Sequence, residues 1–213
     1  MPRGSLVSMA RAHSHHDDAG DPAAADASNG YEAVASAFMD LRDRSAIGAD
    51  VVEAWARALP TGASVLDVGC GHGVPISMTL MRAGLSVFGV DASPSLVAAF
   101  RSRFPQATVA CEPVESSSFF GRTFDAVVAV GLVFLLPPEA QHALVRKLAQ
   151  ASRGRLLFTS PAEACAWTDV LTGRPSRSLG ANAYEAMLSD AGFTLARRFV
   201  DGGGNHYYDA CKR

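Results

Sequence analysis

The chain has few of the features that mark membrane, disulfide-rich or metal-binding proteins. No apolar run approaches the roughly 20 residues that a membrane-spanning helix needs. The four cysteines show no C-x-x-C spacing and therefore indicate neither a disulfide framework nor a zinc site: Cys70, Cys111, Cys165 and Cys211. We expect a cytoplasmic protein with reduced thiols, without a metal site and without membrane contact.

Positive charge is also sparse. The 19 Lys and Arg residues are offset by 21 Asp and Glu residues, so the formal net charge is −2. Because no Lys/Arg stripe is present, the sequence does not favour a nucleic acid as the main partner. A length of 213 residues suits one domain with a sizeable core. Monomer and homodimer both remain open.

The first 28 residues have few large apolar side chains and consist mainly of Ala, Ser, Asp, Gly and His. Such a segment buries too little apolar surface to offset the entropy lost on ordering. We predict a disordered tail over residues 1–28 and one folded domain over residues 29–213.

The domain alternates between helix-like and strand-like apolar patterns. Strands are predicted at residues 64–68, 86–90, 107–110, 125–130, 154–159, 194–200 and 206–211. Helices are predicted at residues 31–43, 48–58, 74–83, 95–103, 138–151 and 181–191. This alternation predicts an α/β fold with a doubly wound, mostly parallel seven-stranded sheet. The link 201–205 is too short for a parallel crossover, so the final strand must be antiparallel.

The most informative segment is residues 65–73, VLDVGCGHG, a buried strand that runs into a glycine-rich turn. Gly69, Gly71 and Gly73 allow a sharp turn and a close approach of the backbone to a ligand. The spacing D-x-G-x-G-x-G differs from the G-x-G-x-x-G of dinucleotide sites. The acid Asp67 would repel a pyrophosphate but would suit a ligand that carries an amine.

A second acid, Asp91, ends the next strand. A carboxylate at this position can accept hydrogen bonds from both hydroxyl groups of a ribose. Ser93 followed by Pro94 is the better N-cap of the next helix. Asp91 and the adjacent Ala92 are therefore expected to be free for a ligand.

These segments resemble motif I and the following acid of the class I S-adenosylmethionine (AdoMet)-dependent methyltransferases. The resemblance runs from about Tyr31 to the C-terminus and implies a Rossmann-like methyltransferase fold with AdoMet as cosubstrate. It implies that the AdoMet site contains Asp67, Gly69, Cys70, Gly71, Gly73, Asp91 and Ala92. The rival enzyme class, an NAD(P)-linked oxidoreductase, is disfavoured by the glycine spacing.

The resemblance also implies cofactor contacts elsewhere. Similar enzymes carry an acid after the third strand that binds the adenine amino group, and Glu112 and Glu115 are the two candidates. Gly131, after the fourth strand, lets the backbone pass close to the methionine part. The family often covers the cofactor with a preceding helix that bears a Tyr and an Arg. Tyr31 and Arg42 match these types, and Arg42 would pair with the AdoMet carboxylate.

The acceptor side has weaker signals. The apolar segment 131–138 lacks the Asn/Asp-Pro-Pro-aromatic motif of methyltransferases that act on base or glutamine amino groups. Phe134 in this segment either contacts the substrate or packs in the core. The long link 160–180 is expected to be a substrate lid containing Trp167, with a short helix at residues 162–171.

The turn 201–205 is expected at the same edge of the sheet as the cofactor. This position favours Asn205 as a substrate contact and His206, Tyr207 and Tyr208 as candidate catalytic residues. His206 is the best available general base. The alternative interpretation is a histidine at the rim with two half-buried tyrosines.

The sequence therefore predicts an AdoMet-dependent methyltransferase that modifies an oxygen or nitrogen atom of a small-molecule acceptor. Catalysis would come largely from positioning, because the methyl group of AdoMet is already activated. Two alternatives remain: an AdoMet-binding protein without turnover, and a methyltransferase that acts on a peptide or tRNA.

Overall fold

The computed structural model describes residues 26–213. All but the last three residues of the segment predicted as a disordered tail, residues 1–28, lie outside the described part. Within residues 26–213, no helix is long and apolar enough to span a membrane.

The described chain contains six α-helices and nine strands. The helices are α1 (Ala35–Asp43), α2 (Ala49–Ala56), α3 (Ile76–Arg82), α4 (Pro94–Arg103), α5 (Pro138–Ala151) and α6 (Ala181–Asp190). The strands are β1 (Ser64–Val68), β2 (Ser86–Asp91), β3 (Thr108–Cys111), β4 (Phe124–Ala129), β5 (Ser152–Thr159), β6 (Ala164–Thr168), β7 (Pro175–Leu179), β8 (Phe193–Val200) and β9 (His206–Lys212). The predicted strands of the main sheet and the predicted helices are present, with ends that differ by up to four residues.

Seven strands form one sheet in the order β3-β2-β1-β4-β5-β9-β8. The first five strands in this order are parallel, and β9 is antiparallel to both of its neighbours, β5 and β8. The predicted doubly wound sheet with an antiparallel hairpin strand is therefore confirmed. The carboxyl ends of β1 to β5 lie at one edge, which we call the carboxyl edge, and the β8–β9 turn lies there too.

Each face of the sheet is covered by a separate hydrophobic core. On one face, Val52 and Trp55 of α2 and Leu80 of α3 pack against β1, β4 and β5. On the other face, Leu144 and Leu148 of α5 pack together with side chains of α6 against the same sheet. Because both faces are covered, the carboxyl edge with its loops is the part of the sheet where a ligand can reach the strands.

The ends of two helices have local causes. Ser93 caps α4, since its hydroxyl oxygen accepts a hydrogen bond from Leu96 N–H at 3.2 Å, and Pro94 occupies the first helical position as predicted. Helix α1 begins at Ala35, four residues later than predicted. Residues 31–34 form turns instead: Val34 N–H donates to the Tyr31 carbonyl oxygen and Ala35 N–H to that of Glu32, each three residues back. The positive φ angles of Asn29 and Gly30, 52° and 89°, belong to the turn before them.

The prediction of a short helix at residues 162–171 is wrong. Strands β6 and β7 pair there in a separate antiparallel hairpin, which we call the β6–β7 arm. The Asp169 carboxylate closes the connecting turn by accepting from the N–H groups of Leu171 and Thr172 at 3.0 and 2.8 Å. Strand β6, ACAWT, has apolar residues at successive positions, and β7, PSRSL, is mostly polar. Neither strand therefore shows the apolar–polar alternation by which a sequence reveals a strand.

Candidate functional site

The turn after β1 requires glycine at three positions. Gly69, Gly71 and Gly73 have φ angles of 72°, 55° and 86°, which L side chains rarely adopt. A Cβ atom on Gly73 would lie 2.5 Å from Phe104, and one on Gly71 would lie 3.2 Å from Phe38. The backbone of this turn is therefore held in one shape by sterics, with its N–H groups at the carboxyl edge.

Hydrogen bonds fix the turn to the end of β2. Gly69 N–H and Cys70 N–H both donate to the Val90 carbonyl oxygen, at 2.8 and 3.1 Å. Gly71 N–H donates to Asp91 Oδ2 at 2.8 Å. The Cys70 side chain is buried against Gly89, where an added Cβ would lie 2.8 Å from the sulfur atom. Cys70 therefore acts as a packing residue beneath the turn.

The Asp91 carboxylate is less free than the sequence suggested. Besides the bond from Gly71, its Oδ1 accepts from Ser93 N–H at 2.9 Å. Each carboxylate oxygen can accept a further hydrogen bond, so the pair of oxygens still offers acceptors to a diol. Burial raises the pKa of Asp91, and the bonds from backbone N–H groups oppose that rise. Ala92 follows directly at the same edge.

Asp67 is the most deeply buried acid of the turn, with 1 % of its surface exposed. Its Oδ2 accepts a hydrogen bond from the Ser77 hydroxyl group at 2.6 Å. Burial raises the pKa of Asp67 to about 7, and the Ser77 bond partly counteracts this effect. A cationic group of a ligand would favour the ionised carboxylate.

Arg42 of α1 lies at the centre of a polar cluster at the carboxyl edge. Burial lowers the pKa of Arg42, and four neighbours oppose that effect: Tyr207, Asp201, Tyr31 and Asp67. The structure thus brings the two residues of the predicted covering helix, Tyr31 and Arg42, close to motif I. A guanidinium here can pair with a ligand carboxylate.

The segment around α1 is fixed at two points. Asp43 binds Arg103 of α4 through two hydrogen bonds of 2.7 and 3.0 Å, and it also contacts His72 Nε2 at 2.9 Å. Glu32 accepts hydrogen bonds from the hydroxyl groups of Ser93 and Ser95 at the N-terminus of α4, where a negative charge is favourable. These contacts hold the covering segment over the glycine turn.

The two candidate adenine acids occupy different surroundings. Glu112 directly follows β3, and its N–H donates to the carbonyl oxygen of Asp91 at 2.9 Å. Its side chain is half-buried, whereas that of Glu115 is exposed. The carbonyl oxygen of Glu115 accepts from Lys147 of α5 at 3.0 Å, away from Asp91. The geometry favours Glu112.

The loop after β4 passes over motif I. Gly131 has a φ angle of 78°, and its N–H donates to the Thr159 hydroxyl oxygen at 2.7 Å. The next residue, Leu132, lies against Gly69, because a Cβ on Gly69 would be 3.2 Å from Leu132 Cβ. Gly131 therefore lies beside the glycine turn, where the methionine part of AdoMet was expected.

The structure brings two predicted substrate contacts together. The rings of Phe134 and Trp167 lie 5.3 Å apart between centroids, at an angle of 47°. Trp167 is on β6, opposite Ser176 of β7, so these two side chains share one face of the β6–β7 arm. Ser176 is 2 % exposed, and its hydroxyl oxygen has no hydrogen-bond partner among residues 26–213.

The tip of the β6–β7 arm reaches the segment before α1. The Tyr31 hydroxyl group donates to Asp169 Oδ2 at 3.4 Å. A Cβ on Gly30 would lie 3.0 Å from Thr172. The arm and the N-terminal segment therefore meet across the carboxyl edge.

The β8–β9 turn is organised by one carboxylate. Asp201 Oδ1 accepts from the N–H groups of Gly203 and Asn205, at 2.9 and 3.0 Å, and both Asp201 oxygens contact the Asn205 side chain. Tyr207 Oη donates to Asp201 Oδ2 at 3.0 Å. A Cβ on Gly48 would lie 2.6 Å from that hydroxyl oxygen, so the Tyr207 hydroxyl group fits only against a glycine.

The three candidate catalytic residues are in three different environments. His206 is partly exposed at the rim, and Tyr207 is buried with its hydroxyl group beside Arg42. The ring of Tyr208 is stacked on Phe158 at 4.9 Å in the other core, and its hydroxyl group donates to the Pro161 carbonyl oxygen at 3.4 Å. Tyr208 is thus a core residue, and the candidates are reduced to His206 and Tyr207.

Sequence reasoning assigned no role to His72, Ser176 or Asp201. His72 and Ser176 each carry a buried polar atom without a partner in the described chain, and Asp201 orders the turn that bears Asn205. Only His72 lay inside a recognisable motif. Nothing in the residue pattern marked Ser176, because its hydroxyl group has no partner among residues 26–213, whereas Asp201 binds residues two to six positions later in a turn that the sequence predicted only by its length.

Comparison with known families identifies a methyltransferase domain. Residues 65–154 match the family model described as "Methyltransferase domain". No curated protein sequence matches the chain significantly.

Solved structures share the fold at low identity. The 1,6-didemethyltoxoflavin N1-methyltransferase of Burkholderia thailandensis, with bound 1,6-didemethyltoxoflavin and S-adenosylhomocysteine (AdoHcy), has a TM-score of 0.66 and 22 % identity. The match covers 93 % of this chain and 98 % of that chain. The AdoMet-bound magnesium protoporphyrin IX methyltransferase of Synechocystis PCC 6803 has a TM-score of 0.65 and 21 % identity, over 91 % of this chain and 87 % of that chain. At this level of identity, the similarity to these structures shows a shared fold only.

Proposed function

We propose that this chain, which belongs to the class I AdoMet-dependent methyltransferases, methylates an oxygen or nitrogen atom of a small-molecule acceptor. The residues at the carboxyl edge suit AdoMet: a turn that only glycines can form, acids beside it, and a half-buried arginine. The acceptor class is the part of the proposal that goes beyond family membership.

The observation that carries the acceptor class is the cover over the carboxyl edge. The β6–β7 arm extends from the end of β5 to Gly30 and Tyr31, so the chain itself covers the carboxyl edge. Phe134 packs against Trp167 of the arm, whereas a stripe of Lys and Arg is absent from the sequence. Such an enclosure suits a compact acceptor better than a polymer.

In this proposal the chain contributes binding and orientation. Bound AdoMet supplies a methyl group that its sulfonium already activates. The glycine turn and Asp91 hold the nucleoside end, Arg42 pairs with the carboxylate, and Gly131 lets the backbone lie against the methionine part. Placing donor and acceptor in line is worth several kcal/mol of the barrier.

Removal of a proton from the acceptor is assigned to the β8–β9 region. His206 is partly exposed at the rim and can take a proton to solvent. Tyr207 keeps its proton, because burial together with the nearby Asp201 raises the pKa of its hydroxyl group. We therefore propose that Tyr207 orients the acceptor and that His206 transfers the proton. Asn205 would contact the acceptor at the edge of the site.

Structural neighbours are consistent with a small acceptor. One is named a 1,6-didemethyltoxoflavin N1-methyltransferase, and another, from Micromonospora echinaspora, an amino pentose methyltransferase. The second matches over 93 % of this chain and 100 % of that chain, at 19 % identity and a TM-score of 0.65. Four free cysteines in the described residues fit the expected reducing cytoplasm.

The first test is calorimetric titration with AdoMet and, separately, with NADH, on the wild type and on Asp91→Ala. We expect saturable AdoMet binding that the variant loses, and no NADH binding. The exposed acid Asp190, distant in sequence from the glycine turn, supplies the control variant Asp190→Ala, which should bind like the wild type.

The second test is AdoHcy formation from AdoMet with panels of small phenols, catechols, amines and heteroaromatic rings. Turnover of one panel and not of peptides or tRNA would support the proposal. Turnover of only a peptide or tRNA, or AdoMet binding with no turnover of any class, would contradict it.

A further inference from the structure

Gln141 of α5 links two segments that carry predicted substrate contacts. Its side chain is fully buried, and its amide nitrogen donates to the backbone carbonyl oxygens of Leu136 and Arg177, each at 2.8 Å. Leu136 lies two residues after Phe134, in the loop that follows β4. Arg177 lies in β7, one residue from the position that pairs with Trp167. One amide group therefore holds both segments of the aromatic pair.

Tyr184 of α6 fixes the orientation of this amide group. Its hydroxyl group, which is also fully buried, donates to Gln141 Oε1 at 2.7 Å, so the amide nitrogen faces the two carbonyl oxygens. Tyr184 Oη in turn accepts from the N–H group of Leu179 in β7 at 3.0 Å and from the Ser160 hydroxyl group at 2.8 Å. Because both amide N–H groups and the tyrosine O–H group have partners, the pair holds its neighbours in one arrangement.

The same buried network reaches the residue proposed for proton transfer. Ser160 directly follows β5, and its N–H group donates to the carbonyl oxygen of His206 at 3.1 Å. Its hydroxyl oxygen lies 3.3 Å from that of Ser178 in β7, which donates to the Pro161 carbonyl oxygen at 2.7 Å. The loop after β4, the β6–β7 arm and the start of β9 are therefore bonded to one network, although they are far apart in the chain.

We propose that Gln141 and Tyr184 are positioning residues for the acceptor. Because both side chains are fully buried, they act through the backbone of the β4 loop and of the arm, and they set the distance between Phe134 and Trp167. The inference rests on the proposed function, in which the β6–β7 arm covers the acceptor and His206 transfers the proton. Helices α5 and α6 thereby determine which acceptors fit, without touching them.

Four variants separate this role from a contribution to stability alone. The two network variants are Gln141→Met, which removes the amide group at similar side-chain length, and Tyr184→Phe, which removes only the hydroxyl group. The first control, Gln150→Met, makes the same change at an exposed position of α5. The second control, Leu148→Ala, lies two turns beyond Gln141 and removes a fully buried apolar side chain that has no part in the network.

The fluorescence of Trp167 reports the position of the arm. The chain has two tryptophans, and Trp55 is 1 % exposed in the core on the other face, so acrylamide quenches mainly the partly exposed Trp167. In the ligand-free protein, we expect both network variants to raise the quenching constant about twofold or more, because the arm separates from Phe134. Both controls should be quenched like the wild type. AdoHcy affinity, measured by isothermal titration, should equal that of the wild type in all four variants.

Acceptor kinetics supply the second measurement, with a small phenol or amine that the wild type methylates. We expect kcat/KM for this acceptor to fall about tenfold in the network variants, because the reacting groups are no longer aligned. The KM for AdoMet should stay at the wild-type value, and both controls should keep the wild-type kcat/KM.

Wild-type quenching in the network variants would overturn the proposal. So would an equal rise in Leu148→Ala, which would show that any loss of stability frees the arm. Urea unfolding checks the fold of each variant, and Tyr184→Phe, whose ring keeps its packing against Phe158, tests the network if Gln141→Met does not fold. Failure to methylate any small acceptor would contradict the proposed function, whereas the quenching comparison needs no turnover.

Discussion

Tyr31 and Asp169 are 138 residues apart in sequence, and their side chains meet at 3.4 Å across the carboxyl edge of the sheet. The contact joins the segment before α1 to the tip of the β6–β7 arm. Asp169 has a second task there, since its Oδ1 orders the tip by accepting from the N–H groups of Leu171 and Thr172. The Asp169 carboxylate thus both orders the tip of the β6–β7 arm and joins it to the segment before α1.

We expect Asp169→Ala to make the β6–β7 arm more mobile without affecting cosubstrate binding. The variant loses the turn bonds and the contact with Tyr31, so limited proteolysis should cut the chain at residues 169–174 faster than in the wild type. The KM for the acceptor should rise severalfold, while AdoHcy affinity stays within about twofold. Glu163→Ala, an exposed change just before the same arm, is the control. Unchanged proteolysis in Asp169→Ala would count against the arm as a closing element.

Gly73→Ala should be among the most destabilising single substitutions in the turn. The added Cβ would lie 2.5 Å from Phe104 and 2.9 Å from Phe100, and the backbone φ angle is 86°. Gly62 supplies a matched control, because its φ angle is 78° but nothing lies within 4 Å of an added Cβ. We expect a loss of about 1 kcal/mol for Gly62→Ala from backbone strain and at least about 3 kcal/mol for Gly73→Ala, measured by urea unfolding. Equal losses would mean that Phe104 moves aside freely.

Asp209 should be essential for stability, although it lies in β9 away from the proposed chemistry. It is fully buried, binds Arg155 through contacts of 2.9 and 2.7 Å, and accepts from Trp55 Nε1 at 3.0 Å. Asp209→Ala leaves the Arg155 guanidinium group, whose side chain is 15 % exposed, without its partner, which should destabilise the fold by about 3 kcal/mol in urea unfolding. The control Asp190→Ala, at an exposed position, should change the unfolding free energy by less than about 0.5 kcal/mol. A similarly small loss for Asp209→Ala would refute the role of the pair.

The Asp67 carboxyl group should make stability depend on pH. Its pKa is raised to about 7 by burial, whereas an Asp in the unfolded chain titrates near 3.9. The folded state therefore holds this proton more tightly, and the resulting stability is complete below about pH 4 and is lost as pH rises to about 7. His72, whose pKa is lowered, acts in the opposite sense below about pH 6.5.

Comparison with Asp67→Asn isolates this contribution. For the ligand-free protein, the unfolding free energy of the wild type relative to the variant should fall between pH 4 and 7, by at most about 1.4 kcal/mol per pH unit. A constant difference over this range, measured by urea titrations at successive pH values, would show that Asp67 is ionised throughout.

Much of the fold could be predicted because it depends on patterns of residues that are close together in sequence. Motif I, the acid that ends β2, the Ser93-Pro94 cap and the short 201–205 link each involve residues close together in sequence. Helix α1 begins later than its apolar periodicity predicts, because residues 31–34 form turns with hydrogen bonds between residues three apart, and such turns keep nearly the same spacing of apolar side chains. The sequence does not predict the β6–β7 arm, because both strands are only five residues long and neither alternates apolar with polar residues.

The sequence alone determined the sheet type and the glycine turn, since these depend on apolar periodicity and on backbone sterics. Tertiary structure alone decided how the side chains meet: Asp43 with His72, Tyr31 with Asp169, Tyr207 with Asp201, and Tyr208 in the core. Most of these contacts join segments far apart in the chain. Their formation depends on how helices and loops dock against the sheet, and no spacing within one segment encodes that geometry.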